Sequence, residues 1–303
     1  MIENNKIKKK DENFRSGFVA ITGAPNAGKS TLLNRVLGEK ISITSKKPQT
    51  TRDRILGVVN RTLSQIVFID TPGIHKPKSL LNRKIVDQAL AAVADVDIIL
   101  LLTDAASQDN DSEKIIIEQL EKTGKPVVLG LNKIDLVARH DILPMIRKFS
   151  SIFNFKAVIP ISAKTGSQTS ELLEEIESCL PVGPRFFPED TLTDMSEKFI
   201  AAEMIREKVF RLTGMEIPYS IAVTIDSFKI DKKLIIIHAT IHVARDSQKG
   251  IVIGKSGKML KKIGEYARKD IQRMTGSKVL LKLFVRVTKN WVKNERILKE
   301  FGY

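Results

Sequence analysis

Gly23-Ala24-Pro25-Asn26-Ala27-Gly28-Lys29-Ser30 falls between an apolar run at 18–22 and a helix-forming stretch at 29–37. Two glycines enclose four residues and are followed at once by Lys-Ser, the strand, loop and helix order of a phosphate-binding loop. Glycines let backbone N–H groups curl around a β-phosphate, and the helix N-terminus adds partial positive charge. Lys29 is then placed to reach the β- and γ-phosphates and Ser30 to ligate Mg²⁺. Gly23, Asn26, Ala27, Gly28 and Thr31 complete the loop's contribution to the nucleotide site. A turn of purely structural purpose would not require Lys-Ser after its second glycine.

Around this loop, short apolar strands alternate with helices. Strands are expected at 18–22, 65–69, 97–103, 126–131 and 157–161, with one more at 55–60. Helices are expected near 29–37, 80–94, 111–122, 140–149 and 169–179. The alternation predicts an α/β domain, a mixed, mostly parallel sheet with helices on both faces. The phosphate loop alone does not separate ATP from GTP. Asn132-Lys133-Ile134-Asp135, directly after the strand at 126–131, does. The Asp135 carboxylate offers two acceptors to guanine N1–H and the 2-amino group, whereas adenine presents an acceptor at N1 and no 2-amino group. Lys133 would pack its stem along the base and Asn132 would brace the phosphate loop; a helix-capping Asp is the plainer alternative, which the spacing after Lys29 disfavours.

Asp70-Thr71-Pro72-Gly73 ends the strand at 65–69. There a carboxylate reaches Mg²⁺ through water, and the Gly73 N–H can bond a γ-phosphate. Loss of that bond on hydrolysis would relax the segment after it, the general mechanism of a nucleotide switch. Between the first helix and the next strand, the polar stretch 46–52 carries Thr51, the expected hydroxyl ligand of Mg²⁺ in the triphosphate state, with Thr50 as the alternative. Ser162-Ala163-Lys164 follows the last strand, where the Ala163 N–H is expected at guanine O6. Lys29, Thr51, Asp70 and Gly73 are thus the candidate catalytic set, with Ser30, Thr51 and Asp70 around the metal.

Length and composition fit two soluble domains. The 303 residues exceed one ordinary core, and 42% hydrophobic with 28% charged residues excludes a disordered chain. No apolar run approaches the roughly 18 residues of a membrane span, and no signal-peptide core is present, so a cytoplasmic protein is expected. The single cysteine, Cys179, has no partner in the chain and sits among apolar helix positions, which reads as core. Pro181, Gly183, Pro184 and Pro188 break helix and strand alike, giving a basic arm at 1–14, a GTPase domain at 15–180, a linker at 181–192 and a second domain at 193–303.

Beyond the linker the order is helix, strand, strand, helix, helix, strand. The helix at 194–211 reads as amphipathic, with Ile200, Met204 and Ile205 apolar and Glu203, Arg206 and Lys208 polar. From 190 to 249 nine basic residues balance nine acidic ones, whereas from Gly250 to Tyr303 fourteen Lys and Arg stand against four Asp and Glu. Such one-sided charge suits a polyanion. Within it, Val252-Ile253-Gly254-Lys255-Ser256-Gly257-Lys258 sets two glycines around two polar residues between helices, and Lys261 and Lys262 follow. Glycines there leave room for a sugar-phosphate backbone, and Ile253, Gly254, Lys255, Ser256, Gly257, Lys258, Lys261 and Lys262 are the candidate RNA contacts. The lysines at 6 and 8–10 are a second basic cluster, suited to RNA or to anionic lipid.

In order, these elements resemble the translation-factor-related class of GTPases, and the second domain resembles a KH domain of type II topology. The pairing, with Lys-Pro-Gln-Thr-Thr-Arg at 47–52, Asp-Thr-Pro-Gly-Ile-His at 70–75 and Val-Ile-Gly-Lys-Ser-Gly at 252–257, resembles the Era family over nearly the whole chain. The resemblance implies GTP/GDP and Mg²⁺ as cofactors and a ribosome-assembly factor that binds the 3′ end of small-subunit (16S) rRNA on the assembling 30S subunit. It further implies a loose peripheral contact with anionic membrane and GTP hydrolysis that times release. Ile74 stands where Ras-like families place a water-orienting glutamine, so slow intrinsic hydrolysis is expected.

Overall fold

The computed structural model describes residues 13–44, 54–73, 95–107, 110–213 and 221–301. The chain divides into two compact units, the first running to Asp194 except for a segment after Gly38, the second taking Met195 onward together with residues 39–44. The expected helix at 80–94, and Thr50, Thr51 and Ile74, lie outside the described residues.

The first unit is built on a sheet of six strands: β1 (Arg15–Gly23), β2 (Ile55–Asn60), β3 (Ser64–Asp70), β4 (Ile98–Asp104), β5 (Val127–Asn132) and β6 (Ala157–Pro160). Their order is β2-β3-β1-β4-β5-β6, with β2 antiparallel to β3 and every other pairing parallel. Parallel strands covered on both faces must be apolar throughout rather than alternating. The Ile-Ile-Leu-Leu-Leu run of β4 is accordingly buried from Ile98 to Leu102. Helices α1 (Lys29–Leu37), α2 (Asn110–Leu120), α3 (Arg139–Ile152) and α4 (Thr169–Cys179) complete the described part of the unit. Ile116 and Leu120 of α2 and Phe149 of α3 pack with Ile99, Leu101, Leu129 and Leu131 of the sheet. Gly38, at φ 72°, closes α1 with a left-handed C-cap. The parallel register brings the last residues of β1, β3, β4 and β5, namely Gly23, Asp70, Asp104 and Asn132, to one edge, where open α/β sheets bind ligands.

The stretch 181–192, expected as a linker, is fastened to this unit. Gly183 N donates to Phe14 O at 2.9 Å and Val58 N to Leu192 O at 2.8 Å. Gln65, fully buried, donates to Phe187 O at 2.8 Å and accepts from the Phe186 and Phe187 amides. Proline stops a strand by lacking N–H, but the carbonyls and the amides between the prolines still bond. Cys179 is half-buried at the end of α4, so the core reading holds for its neighbours Leu172, Ile176 and Leu180 rather than for the thiol itself.

The second unit has α5 (Glu197–Leu212), β7 (Ile221–Asp231), β8 (Leu234–Val243), α6 (Asp246–Ile253), α7 (Lys258–Thr275), β9 (Lys278–Val287) and a final α8 (Glu295–Glu300). β7 is antiparallel and β9 parallel to β8. Ser196 Oγ caps α5 by accepting the Phe199 N–H at 3.2 Å. The amphipathic reading of α5 is corrected, because Glu203, Arg206, Glu207 and Lys208 are buried together with Ile200, Met204 and Ile205. Their charges neutralise one another: Arg206 pairs with Glu203, while Lys208 and Lys40 both pair with Glu207 and with Asp270 of α7. The lysines hold the Glu207 and Asp270 carboxyls below their ordinary range against the opposing effect of burial. Removing one partner of such a buried set would cost about 3–5 kcal/mol. No described helix is long and apolar enough to cross a membrane.

Candidate functional site

The loop after β1 is shaped by backbone conformations that few residues adopt. Asn26 has φ 66° and Gly28 φ 102°. At Gly23 a Cβ would stand 2.2 Å from the Leu102 carbonyl oxygen, and at Gly28 2.2 Å from Asn132 Nδ2, so both positions exclude any side chain. Gly28 forms the N-cap of α1, and Lys29 opens the helix with only 6% of its surface exposed. Its ammonium donates to the Gly23 and Ala24 carbonyls, both at 3.0 Å. Burial pushes this lysine down from its ordinary 10.5 to about 8, with Asp70 pulling the other way. Asn26 is exposed and Thr31, in the first turn of α1, is half-buried.

Asp70 is fully buried at the end of β3, where Ser30 Oγ donates to its Oδ2 at 2.7 Å. A hydroxyl and a carboxylate so close, beside a buried ammonium, form a hard-oxygen donor set of the kind Mg²⁺ takes next to phosphates. Thr71 Oγ1 fixes the exit of β3 by donating to Ile21 O at 2.8 Å. A Cβ on Gly73 would lie 3.0 Å from the Pro25 backbone, so glycine lets these two loops approach.

Asn132 ties three loops together. Its Nδ2 donates to Ala27 O at 2.7 Å, and its Oδ1 accepts from Lys133 N at 2.8 Å and from Ala163 N at 2.9 Å. The brace on the phosphate loop is therefore present. The Ala163 N–H, expected at guanine O6, donates to Asn132 Oδ1 in this structure. Ser162 Oγ donates to Asp135 Oδ1 at 2.6 Å and holds that exposed carboxylate beside the loop of Ala163 and Lys164. Two residues escaped sequence reasoning. Arg35, in the last turn of α1, donates to Ala163 O at 3.2 Å and to Lys164 O. Asp104 pairs with Lys133. No spacing rule links either to its partner, since both contacts are made by chain segments brought together by the sheet.

In the second unit Gly254 has φ 71°, Ser256 φ 53° and Gly257 φ 76°. A Cβ on Gly254 would meet Met259 Cβ at 2.6 Å, whereas one on Gly257 would meet nothing within 4 Å. The first glycine is needed for packing and the second leaves its backbone open to a passing chain. Lys255, Ser256, Lys258, Lys261 and Lys262 are exposed, Ile253 is half-buried, and Val252 and Ile263 anchor the loop in the core.

The fold and these two sites define a class: a P-loop GTPase joined to a KH domain. Residues 18–133 match the family model described as 50S ribosome-binding GTPase, and 216–292 match that of the KH domain. The chain is 54% identical to the GTPase Era of Geobacter metallireducens over 97% of its own length and 99% of that protein. It is 52% identical to the GTPase Era of Geotalea daltonii with the same coverage. It superposes with TM-score 0.92 on a point variant of Aquifex aeolicus Era bound to GDP and AlF4⁻, at 39% identity over 96% of this chain and 99% of that one. The same TM-score, identity and coverage relate it to an Era complex with MgGDPNP and nucleotides 1506–1542 of 16S ribosomal RNA. The chain belongs to the Era GTPase family. It is a GTPase that works with GTP, GDP and Mg²⁺.

Proposed function

We propose that the chain is a GTP-gated RNA-binding switch that acts on the 3′ end of 16S rRNA during assembly of the small ribosomal subunit. The observation that carries the reading is the presence, on one chain, of the Gly23–Ser30 loop braced by Asn132 beside Asp70 and of an open Gly254–Gly257 loop ringed by lysines. The solved relative bound to 16S nucleotides supports the RNA target. In this reading Gly23, Asn26, Ala27, Gly28 and Thr31 surround the phosphates, Lys29 neutralises them, and Ser30, Asp70 and Thr51 hold Mg²⁺. The metal supplies positive charge against the phosphoryl oxygens. Gly73 senses the γ-phosphate through its N–H. Asp135 reads the guanine edge, Lys133 lies along the base, and Asn132, Ser162, Ala163 and Lys164 close the pocket. Ile253, Gly254, Lys255, Ser256, Gly257, Lys258, Lys261 and Lys262 carry the RNA. The domains run 15–180 and 193–303, with an arm at 1–14 and a connecting segment at 181–192. The chain works in the cytoplasm with weak peripheral contact with anionic membrane, and its lysine-rich arm suits RNA or anionic lipid.

Equilibrium binding of a labelled oligonucleotide from the 3′ end of 16S rRNA, with a scrambled control, to protein carrying GDP or a non-hydrolysable GTP analogue tests this reading. Tight binding only to the native sequence and only in the triphosphate form is expected. Gly257→Asp, which sets a carboxylate in the open path, is expected to remove that binding while leaving attachment to anionic vesicles and GTP hydrolysis without RNA unchanged. Binding indifferent to sequence and nucleotide would defeat the proposal. By linkage, RNA must favour the triphosphate by the same factor.

A further inference from the structure

Lys133 is held at both ends. Its backbone has φ 68°, a left-handed conformation unusual for a lysine, and its N–H donates to Asn132 Oδ1 at 2.8 Å. Its ammonium, four methylenes away, forms an ion pair with Asp104 Oδ2. Asp104 is the last residue of β4 and lies directly opposite Asn132 in the β4–β5 register, so the sheet places its carboxylate next to the guanine loop. Its other oxygen accepts the Ala106 N–H at 3.0 Å, and Ala105 N donates to Asn132 O at 2.8 Å. The carboxylate is therefore itself held in one orientation, with 16% of the side chain exposed.

We propose that Asp104 is a positioning residue for guanine-nucleotide binding, acting through Lys133. A free lysine side chain samples many rotamers, and that freedom must be lost when the stem lies against a base. Asp104 removes it beforehand. The stem between the two anchors is fixed before nucleotide arrives, so binding orders less of the protein. This rests on the placement of the base at Asp135, whose failure would show separately as a retained guanine preference in Asp135→Asn.

The test is a double-mutant cycle of Asp104→Asn and Lys133→Met, read as the affinity and release rate of fluorescently labelled GDP and GTP. Asparagine keeps the acceptor for Ala106 N–H but presents no anion to the ammonium, and methionine keeps the stem without the charge. Asp104→Asn is expected to weaken GDP and GTP equally, by about three- to fivefold, mainly through faster release, as befits a partly exposed pair. Asp104→Glu restores the anion and is expected to recover part of the loss. In the Lys133→Met background the effect of Asp104→Asn should shrink to nothing. Unchanged release from a folded Asp104→Asn protein would overturn the proposal, as would an equal loss in the methionine background, which would place the effect in the Ala106 turn. Lys133→Met alone gives a second arm: unchanged nucleotide release there overturns it as well.

Discussion

Gly28-Lys29 and Gly257-Lys258 are the same local device used twice. In each a glycine of positive φ, 102° and 76°, forms the N-cap of a helix whose first residue is lysine. The surroundings differ. Gly28 presses against Asn132 and Lys29 is buried with its ammonium on two carbonyls, whereas Gly257 faces open space and Lys258 lies in water. An enclosed site fixes donors at set distances and so recognises one ligand geometry; its charges are costly to desolvate and sensitive to protonation. An open one neutralises a phosphate chain as it passes, with energy that salt screens away. A shared loop shape thus says where an anion goes, while burial says how selectively it is held.

Asp135→Asn should break the comparison hardest. With guanine at Asp135, the carboxylate offers acceptors to N1–H and to the 2-amino group, whereas an amide keeps one acceptor for N1–H and turns a donor toward the 2-amino group. GTP and GDP affinity should fall by at least about 100-fold, with xanthine nucleotides gaining in return, since a site left with unmatched polar groups rejects its old ligand. RNA affinity of the nucleotide-free protein should not move. Competition of GDP and XDP for the variant checks this; retained guanine preference would place the base elsewhere.

Both loops were legible in the sequence because each is a contiguous spelling with strict backbone demands. The strand expected at 97–103 was legible too and is observed at Ile98–Asp104, since a parallel strand buried on both faces carries an unbroken apolar run, here Ile98 to Leu102. What escaped was pairing across the fold. Asp104 meets Lys133, and Arg35 meets the Ala163 carbonyl, through a sheet register that no local spacing encodes. The polar face of α5 misled for a related reason. Glu203, Arg206 and Lys208 read as the polar face of an amphipathic helix, yet Arg206 is buried against Glu203 and Lys208 against Glu207 and Asp270, the last far away in sequence.

The buried lysine makes a second difference measurable. Lys29 carries a pKa of about 8 in the nucleotide-free protein. A polyphosphate favours its charged form, so above pH 8 binding takes up a proton and affinity must fall as pH rises. Between pH 7 and pH 9 GDP affinity should drop by about tenfold, the integral of one proton over one unit beyond the pKa. Below pH 7 it should level off. Calorimetry in buffers of different ionisation enthalpy reads the proton uptake directly. A flat profile to pH 9 would mean that Lys29 stays charged despite its burial.

The open site should show the opposite sensitivities, and one lysine suffices to see it. Lys261 is exposed on the first turn of α7, four residues after Gly257. If it neutralises one phosphate of a single strand, Lys261→Ala should lower the slope of log affinity against log salt by about 0.7. At physiological salt the loss should be only a few-fold and nearly the same for matched and scrambled oligonucleotides, because a phosphate contact carries no base identity. The open loop contributes no buried ammonium to the contact, so RNA affinity should stay level between pH 7 and pH 9, where GDP affinity falls. An unchanged salt slope would remove Lys261 from the RNA path and leave the loop lysines, Lys255 and Lys258, as its phosphate contacts. A loss confined to the matched sequence would instead mean that the open loop reads bases through this residue, and the division between an enclosed, selective site and an exposed, electrostatic one would no longer hold.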